Sequence, residues 1–382
     1  MSKDIAIVGI GETPAVRRSD TNLRSMVIEA VLAALDDAGL SPSEVDGIVT
    51  DATVMPTTVP HDYVAAQLGF ESRFDAAMSY AGAGIVAGPD LAAYAINSGR
   101  ASVVISYFGV DWGSRPEGPY GFHDIYPAKM AFEKPYGFNA QPSYFAIWAR
   151  RYLHEFGGSE EDMGRLAVQQ RGNARLTGRG QNMKPMTLDD YMTAPMISDP
   201  LRIPDCCLIS DGAGAYVMTS ADRARDCRKR PIFVRGTGFA SEPISADDVF
   251  TQNRDLLSLP GVSSAREAAE RRAGIKLLET DLGQVYDCFS ISSMLQIEDL
   301  GLCAKGEAGD FIAEGHTALD GAIPINTHGG LLSYSYRLGI EHVVETVRQL
   351  RHEAGGNQVK DAETGFVTGL SIPDYGVVVL GR

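Results

Sequence analysis

The sequence predicts an α/β protein made from one layered unit that occurs twice. Three observations carry this. Short β-branched apolar runs alternate with segments of helical spacing. The same order of elements begins again near Arg230. The 382 residues, 44% hydrophobic and 22% charged, suit an ordinary globular chain of two or three domain-sized units or one large duplicated fold.

In the first copy, Asp4 to Gly9 (DIAIVG) reads as a buried strand closed by glycine. Leu23, Met26, Val27, Ala30, Val31, Ala34, Leu35 and Ala38 keep helical spacing, and Gly39 supplies the stop. Val45 to Val49 is a second strand. The small-residue segment Ala81-Gly82-Ala83-Gly84 precedes a helix that ends near Gly99, and Ala101 to Phe108 is a further strand. Ala213 to Met218 closes the copy after Ser210-Asp211-Gly212.

The second copy opens with the strand Pro231 to Arg235 and a helix from Ser264 to Ala273 that ends at Gly274. Asp281 to Asp287 answers Val45 to Asp51, each a strand closed by aspartate. Gly329-Gly330 precedes a helix through about Leu338 to Leu350, followed by strands at Gly365 to Ser371 and Tyr375 to Leu380. Between the third and fourth of these strands of the first copy lies an excursion, roughly Val110 to Pro200, rich in Tyr, Phe, Pro, Gly and Met. It carries helices near Tyr144 to Glu155 and Glu160 to Thr177. Long insertions on a rigid scaffold commonly shape a substrate pocket or a subunit interface.

Composition excludes several functions. With 34 basic against 49 acidic residues the net charge is −15, which opposes nucleic-acid binding. Five cysteines, Cys206, Cys207, Cys227, Cys288 and Cys303, form neither a disulfide framework nor a paired zinc spacing, so no metal is expected. The N-terminus lacks a signal-type apolar region, and no apolar run reaches the roughly 18 residues of a membrane span, so a cytoplasmic location is expected. Gly9-Ile10-Gly11-Glu12-Thr13-Pro14 starts like a dinucleotide fingerprint, but Pro14 replaces the glycine that admits close helix packing. A structural turn is expected there rather than NAD binding.

Tyr191 to Arg202 (YMTAPMISDPLR) leads into Asp205-Cys206-Cys207 and Ser210-Asp211-Gly212-Ala213. Tyr286-Asp287-Cys288-Phe289 and Asn326-Thr327-His328-Gly329-Gly330 follow in order. In this arrangement the chain resembles the thiolase superfamily over essentially its whole length. The branch it resembles most is that of the lipid-transfer-protein and sterol-carrier-type thiolases, which includes the aldolases of steroid side-chain degradation. The resemblance implies a thiolase-like duplicated α/β/α/β/α five-layer sandwich with a loop insertion. The first half would span residues 1–229, with the insertion at about 110–200, and the second half residues 230–382.

A thiolase needs a nucleophilic cysteine at a helix start in its first half, where the helix N-terminus favours a thiolate. The matching place reads Tyr80-Ala81-Gly82-Ala83-Gly84, with Ala81 or, after a one-residue gap, Gly82 at the nucleophile's position. No cysteine precedes Cys206, and the family's second cysteine region reads Phe366-Val367-Thr368-Gly369. Tyr336 stands where related thiolases carry a histidine, and Tyr286 opens the motif that elsewhere begins with Asn or His. The resemblance therefore implies an aldolase without an acyl-cysteine, active in lipid metabolism such as steroid or cholesterol catabolism.

Retro-aldol cleavage of a β-hydroxyacyl-CoA needs a base for the hydroxyl, donors for the enolate oxygen, and an acid at carbon. Tyr286 and Tyr336 are expected to divide the base and acid roles, in either assignment, as two active tyrosines rather than packed aromatics. His328 is either a third polar group of the pocket or a loop histidine held by backbone. Backbone N–H groups near Ala81, Gly82 and Gly84, and at Gly369, would bind the enolate oxygen.

CoA enters as part of the substrate, and no other cofactor is expected. Lys184, Arg202 and the Arg17-Arg18 pair could meet its phosphates, or be solvated surface. The resemblance further implies a homodimer and a separate partner with an OB-fold, DUF35-type domain, together a heterotetramer. The last strand runs to Arg382, so no fused sterol-carrier domain is expected. Two other functions stay open: a non-catalytic acyl-CoA-binding subunit, and acyl transfer through Cys288 or Cys303.

Overall fold

The computed structural model describes residues 4–51, 59–116, 118, 127–138, 140–244, 252–253 and 255–382. The first half runs β1 (Ile5–Glu12), α1 (Leu23–Ala38), β2 (Gly47–Thr50), α2 (His61–Leu68), β3 (Phe74–Ala77), α3 (Ala81–Asn97) and β4 (Val103–Asp111). The excursion holds α4 (Gln141–Phe156), α5 (Glu160–Thr177), α6 (Leu188–Met192) and the hairpin β5 (Met196–Ser198) and β6 (Leu201–Arg202). Next come β7 (Asp211–Ser220), α7 (Ala221–Ala224), β8 (Ile232–Ser241), α8 (Val262–Ala273), β9 (Leu282–Gln284) and α9 (Ser290–Asp299). The chain ends with α10 (Ala308–Ala313), α11 (Ile340–Arg351), β10 (Thr364–Leu370) and β11 (Asp374–Gly381).

Nine strands form one sheet in the order β3-β2-β4-β7-β1-β8-β11-β10-β9. Its middle is a narrow joint: β1 and β8 pair only through Ala6 with Phe233 and Ile7 with Ile232. Outward from that joint the two sides repeat each other. β7 and β11 are antiparallel to the central strands, β4 and β10 antiparallel to those, and β2 and β9 parallel to the last pair. The counterpart of β3 on the second side is a single parallel bridge, Gly283 to Ile325.

Helix contacts resolve this sheet into layers. α1 covers β1, β7 and β4 from outside, and α8 covers β8 and β11. α3 touches β2, β4 and β7 of one half and β8, β10 and β11 of the other; α11 likewise reaches β1 and β7 as well as β9 and β10. The layers are therefore α1, first half-sheet, α3 with α11, second half-sheet, α8. Strand alternation follows this plan. Val103, Ile105 and Tyr107 of β4 enter the core under α1, whereas Val104, Phe108 and Val110 enter the middle core with Ile85 and Val343.

The glycines at the fingerprint-like start belong to a strand rather than the expected turn. A Cβ on Gly9 would lie 2.1 Å from the carbonyl oxygen of Ala34, and one on Gly11 2.2 Å from that of Ala30. They let α1 approach β1. The second copy repeats the device: Gly236 and Gly238 of β8 leave the same room for Ala269 and Ala265 of α8, at 2.4 Å and 1.9 Å. Likewise Ala81 to Gly84 does not precede α3 but forms its first turn.

The excursion folds onto the second half. α5 starts from the capping box of Ser159 and Asp162 and ends at Gly178 in the left-handed conformation. Tyr144, Trp148 and Tyr152 of α4 and Leu166 of α5 share one core with Phe289, Met294, Leu295 and Val379, and Phe145 stacks on Phe289 with ring centroids 4.3 Å apart. Residues 117, 119–126 and 139 of the excursion lie outside the described residues. Among the described residues no helix is long and apolar enough to cross a membrane.

Candidate active site

Tyr286 follows β9 and is held through its backbone. Its N–H donates to Thr368 Oγ1 (3.0 Å), and its carbonyl accepts from Gln296 Nε2 (2.7 Å). Gln296 is fixed in turn by the hydroxyls of Thr368 and Tyr375. Tyr336 arrives from the loop before α11. Its N–H donates to Ser210 Oγ (2.9 Å), which donates to Gln181 Oε1 (2.7 Å), and its ring lies 4.8 Å from that of Trp112. The two phenols meet at 2.8 Å with edge-on rings. Tyr286 is buried and Tyr336 half-buried.

The glycines expected at the site converge here too. A Cβ on Gly82 would lie 2.3 Å from Cε2 of Tyr286, and one on Gly369 2.0 Å from the carbonyl oxygen of Gly82. The start of α3, the end of β10 and Tyr286 thus touch with no room for further side-chain atoms. Ala81, with φ of +46°, turns the chain into the helix. Asp51 Oδ2 accepts from the N–H of Tyr80 (2.8 Å), and its carboxylate also bonds the N–H of Ala81. The N–H of Gly84 is committed to the Tyr80 carbonyl, so it is not a free donor as expected. A helix leaves its first N–H groups without internal acceptors, and among the described residues those of Gly82 and Ala83 have none outside the helix either.

Burial, then the other phenol and the nearby Cys288, hold Tyr286 well above its usual pKa. Burial, then Cys207 and Cys288, raise Tyr336 as well, but its bond from Tyr286 counteracts part of the rise. Either hydroxyl can be the donor in the shared bond, so when one phenol ionises the other is placed to donate to it. The thiols point the other way from nucleophiles. Burial pushes Cys288 and Cys303 up to about 12 and raises Cys206, Cys207 and Cys227 too. None is a ready thiolate at neutral pH.

His328 does not reach the phenols. It lies behind His342, whose Nδ1 is 3.3 Å from His328 Nε2, and packs on the ring of Tyr334. Burial, then the neighbouring His342, lower its pKa far below the usual value, so it stays neutral. The histidine against Tyr286 is His342, with ring centroids 6.5 Å apart and Nε2 3.3 Å from Asp287 Oδ1. No local pattern marks His342, because only the course of α11 brings it to the site. Trp112 and Gln181, and the role of Ser210 behind Tyr336, likewise depend on tertiary packing, here of the ends of β4 and α5 and the start of β7. Asp51 and Asp287 were visible as matching ends of the repeated strand.

A seam of charge ties the Tyr336 loop to the first half. Glu12 of β1 accepts from Arg337 Nη2 (2.6 Å), Arg348 Nη1 (2.5 Å) and the hydroxyl of Tyr334 (2.6 Å). Burial alone would raise its pKa, but the two guanidinium groups and the hydroxyl overcome that and hold it far below the carboxylate range. Of the basic residues considered for CoA, Arg202 is committed to Glu160 (2.8 Å) and the Ala194 carbonyl, and Arg18 to the Gly113 carbonyl. Lys184 and Arg17 are exposed.

This duplicated five-layer fold, with a tyrosine pair facing a helix start that bears alanine, defines a thiolase-type protein without the thiolase nucleophile. Comparison with known proteins agrees. The family described as Thiolase C-terminal domain-like matches residues 244–382. The chain is similar to a 17-hydroxy-3-oxo-4-pregnene-20-carboxyl-CoA lyase of Mycobacterium tuberculosis, 34% identical over 99% of this chain and 100% of that one. It is also similar to a steroid side-chain-cleaving aldolase of Thermomonospora curvata, 33% identical over 98% and 97%. An acetyl-CoA acetyltransferase of Methanothermobacter thermautotrophicus is 32% identical over 95% of both chains. A solved structure described as an Ltp2-ChsH2(DUF35) aldolase superposes with a TM-score of 0.92 at 33% identity, covering 100% of this chain and 98% of the other. The chain belongs to the thiolase superfamily, in the branch of the thiolase-fold steroid side-chain aldolases.

Proposed function

We propose that the protein is a carbon–carbon lyase that cleaves a β-hydroxyacyl-CoA on a steroid or bile-acid side chain to a ketosteroid and propionyl-CoA or a similar short acyl-CoA. The observation that carries this is the 2.8 Å phenol pair set against the first turn of α3, where Ala81 and Gly82, the two alternatives for the nucleophile's position, both lack a nucleophilic side chain. Tyr336, whose phenolate accepts from Tyr286, takes the β-hydroxyl proton. The Cα–Cβ bond breaks, its electron pair becomes the thioester enolate, and the β-carbon becomes the ketone carbonyl. Tyr286 then returns a proton to Cα. The N–H groups of Gly82 and Ala83, at the positive end of α3, stabilise the enolate oxygen. No acyl-enzyme forms, and atoms and charge balance without a cofactor.

The similarity to the DUF35-containing aldolase supports a partner protein with an OB-fold, DUF35-type domain. A homodimer carrying two such partners, a heterotetramer in the cytoplasm, completes the proposal. Acyl transfer, the activity named for the archaeal relative, is disfavoured by the raised thiol pKa values and by Ala81. The test is to give the protein, together with a DUF35 partner, a steroid bearing a tertiary β-hydroxyacyl-CoA side chain. Ketone and short acyl-CoA in equal amounts are expected. Tight substrate binding with no ketone would instead indicate a non-catalytic binding subunit.

A further inference from the structure

Two buried carboxylates at corresponding places in the duplicated fold have no part in the proton transfers above. Asp51 directly follows β2, and Asp287 follows β9 after Val285 and Tyr286. Both are fully buried. Each takes backbone N–H groups from the segment that opens a middle-layer element of its own half. Asp51 holds Tyr80 and Ala81 at the start of α3. Asp287 Oδ1 accepts from Leu331 (2.9 Å), and its Oδ2 from Leu332 (3.3 Å), in the turn that leads to Tyr336. Each carboxylate also has a glycine that makes room for it: a Cβ on Gly84 would lie 1.8 Å from Asp51 Oδ2, and one on Gly330 2.0 Å from Asp287 Oδ2.

Neither aspartate has an arginine or lysine ion-pair partner among the described residues; a basic side chain, that of His342, approaches one of them, with its Nε2 3.3 Å from Asp287 Oδ1. Oδ1 of Asp51 has no hydrogen-bond partner there, and burial raises its pKa to about 7. A buried carboxylate without a strong counter-charge costs stability. Two such groups at matching places, each clamping one wall of one site, have a common explanation. Resting on the lyase reading above, we propose that Asp51 and Asp287 are paired positioning residues: Asp51 sets the N–H donors of α3 toward the enolate oxygen, and Asp287 sets the Tyr336 phenol against Tyr286.

The two assignments separate experimentally in the full-length protein with its partner. Trp112 and Trp148 are its two tryptophans, and in a Trp148→Phe background the emission of Trp112, 4.8 Å from Tyr336, reports phenolate formation during a pH titration without substrate. Asp287→Asn cannot accept both N–H groups, so it is expected to move that quenching step by about one pH unit and to lower kcat about 10- to 100-fold with KM within about twofold. Asp51→Asn is expected to leave the Trp112 titration unchanged, to lower kcat by a similar factor, and to weaken a nitronate-type CoA analogue of the enolate about tenfold. Asp287→Glu, which keeps the charge but displaces the oxygens, should give the same shift and serves if the amide variant does not fold. Lowered melting temperatures with unchanged kcat and an unchanged Trp112 titration would overturn the proposal. Absence of turnover in the wild type would overturn the lyase reading alone, because the Trp112 titration still decides whether Asp287 places Tyr336.

Discussion

At the carboxyl end of the first half-sheet the chain presents Ala81, Gly82 and Gly84 on the opening turn of α3; at that of the second it presents Tyr286, with Tyr336 and His342 beside it. One wall offers backbone and the other offers side chains. The supports behind them are nevertheless alike, with glycine-to-helix contacts at Gly9 and Gly11 answered at Gly236 and Gly238. Duplication has kept what fixes helix against strand and released what faces the pocket. The division also fits the chemistry. An enolate oxygen is well served by fixed N–H dipoles, whereas proton traffic needs groups that ionise.

The sharpest way to break this contrast is to remove a phenol. Tyr336→Phe or Tyr286→Phe is expected to lower kcat by about 10²- to 10⁴-fold, read as ketone release in a single turnover. Unchanged turnover would leave the second wall without its assigned role.

The seam between the halves comes next. Glu12→Gln leaves the buried Arg337 and the half-buried Arg348 without their carboxylate, and a loss of about 3–5 kcal/mol at neutral pH is expected in urea unfolding. Because the folded pKa of Glu12 is depressed, its contribution is full above the unfolded carboxylate value near about 4.3 and fades as pH falls below it. The gap between wild type and variant should therefore narrow in acid.

Smaller effects probe the packed wall. Gly82→Ala drives a methyl into the ring of Tyr286 and is expected to cost about 10²-fold in kcat. Gly369→Ala meets the Gly82 carbonyl, which has no rotamer to escape through, and is expected to cost about 1–3 kcal/mol, measured as a fall in Tm. At the bottom of the scale, iodoacetamide at pH 7 should leave retro-aldol turnover unchanged, since the thiols stay protonated. Inactivation in step with modification of Cys288 would return acyl transfer to consideration.

Much of this was legible in the residues. The spacing from Leu23 to Ala38 with Gly39, and that of Glu160 to Thr177, mark helices because periodicity and stop signals are local. The missing early cysteine and the tyrosines at 286 and 336 could be read because a motif fixes residue type. Gly9 and Gly11 were not, since their purpose is the approach of helix residues Ala34 and Ala30, 25 and 19 positions further on, which leaves the same letters as a turn. His328 drew notice beside its Gly-Gly turn, whereas His342, inside an ordinary amphipathic helix, occupies the place next to Tyr286 only through tertiary packing.

The excursion precedes β7 in the chain, yet the core that Tyr144, Trp148 and Tyr152 share is completed by Phe289, Met294, Leu295 and Val379 of the second half. On the ribosome these rings emerge well before Phe289 and Val379, and at about 5–20 residues per second the wait is on the order of ten seconds to a minute. Throughout that interval this aromatic surface is covered only by neighbours within the excursion, such as Leu166 and Tyr191. Synthesis is therefore the stage at which this surface is most open to association with other chains.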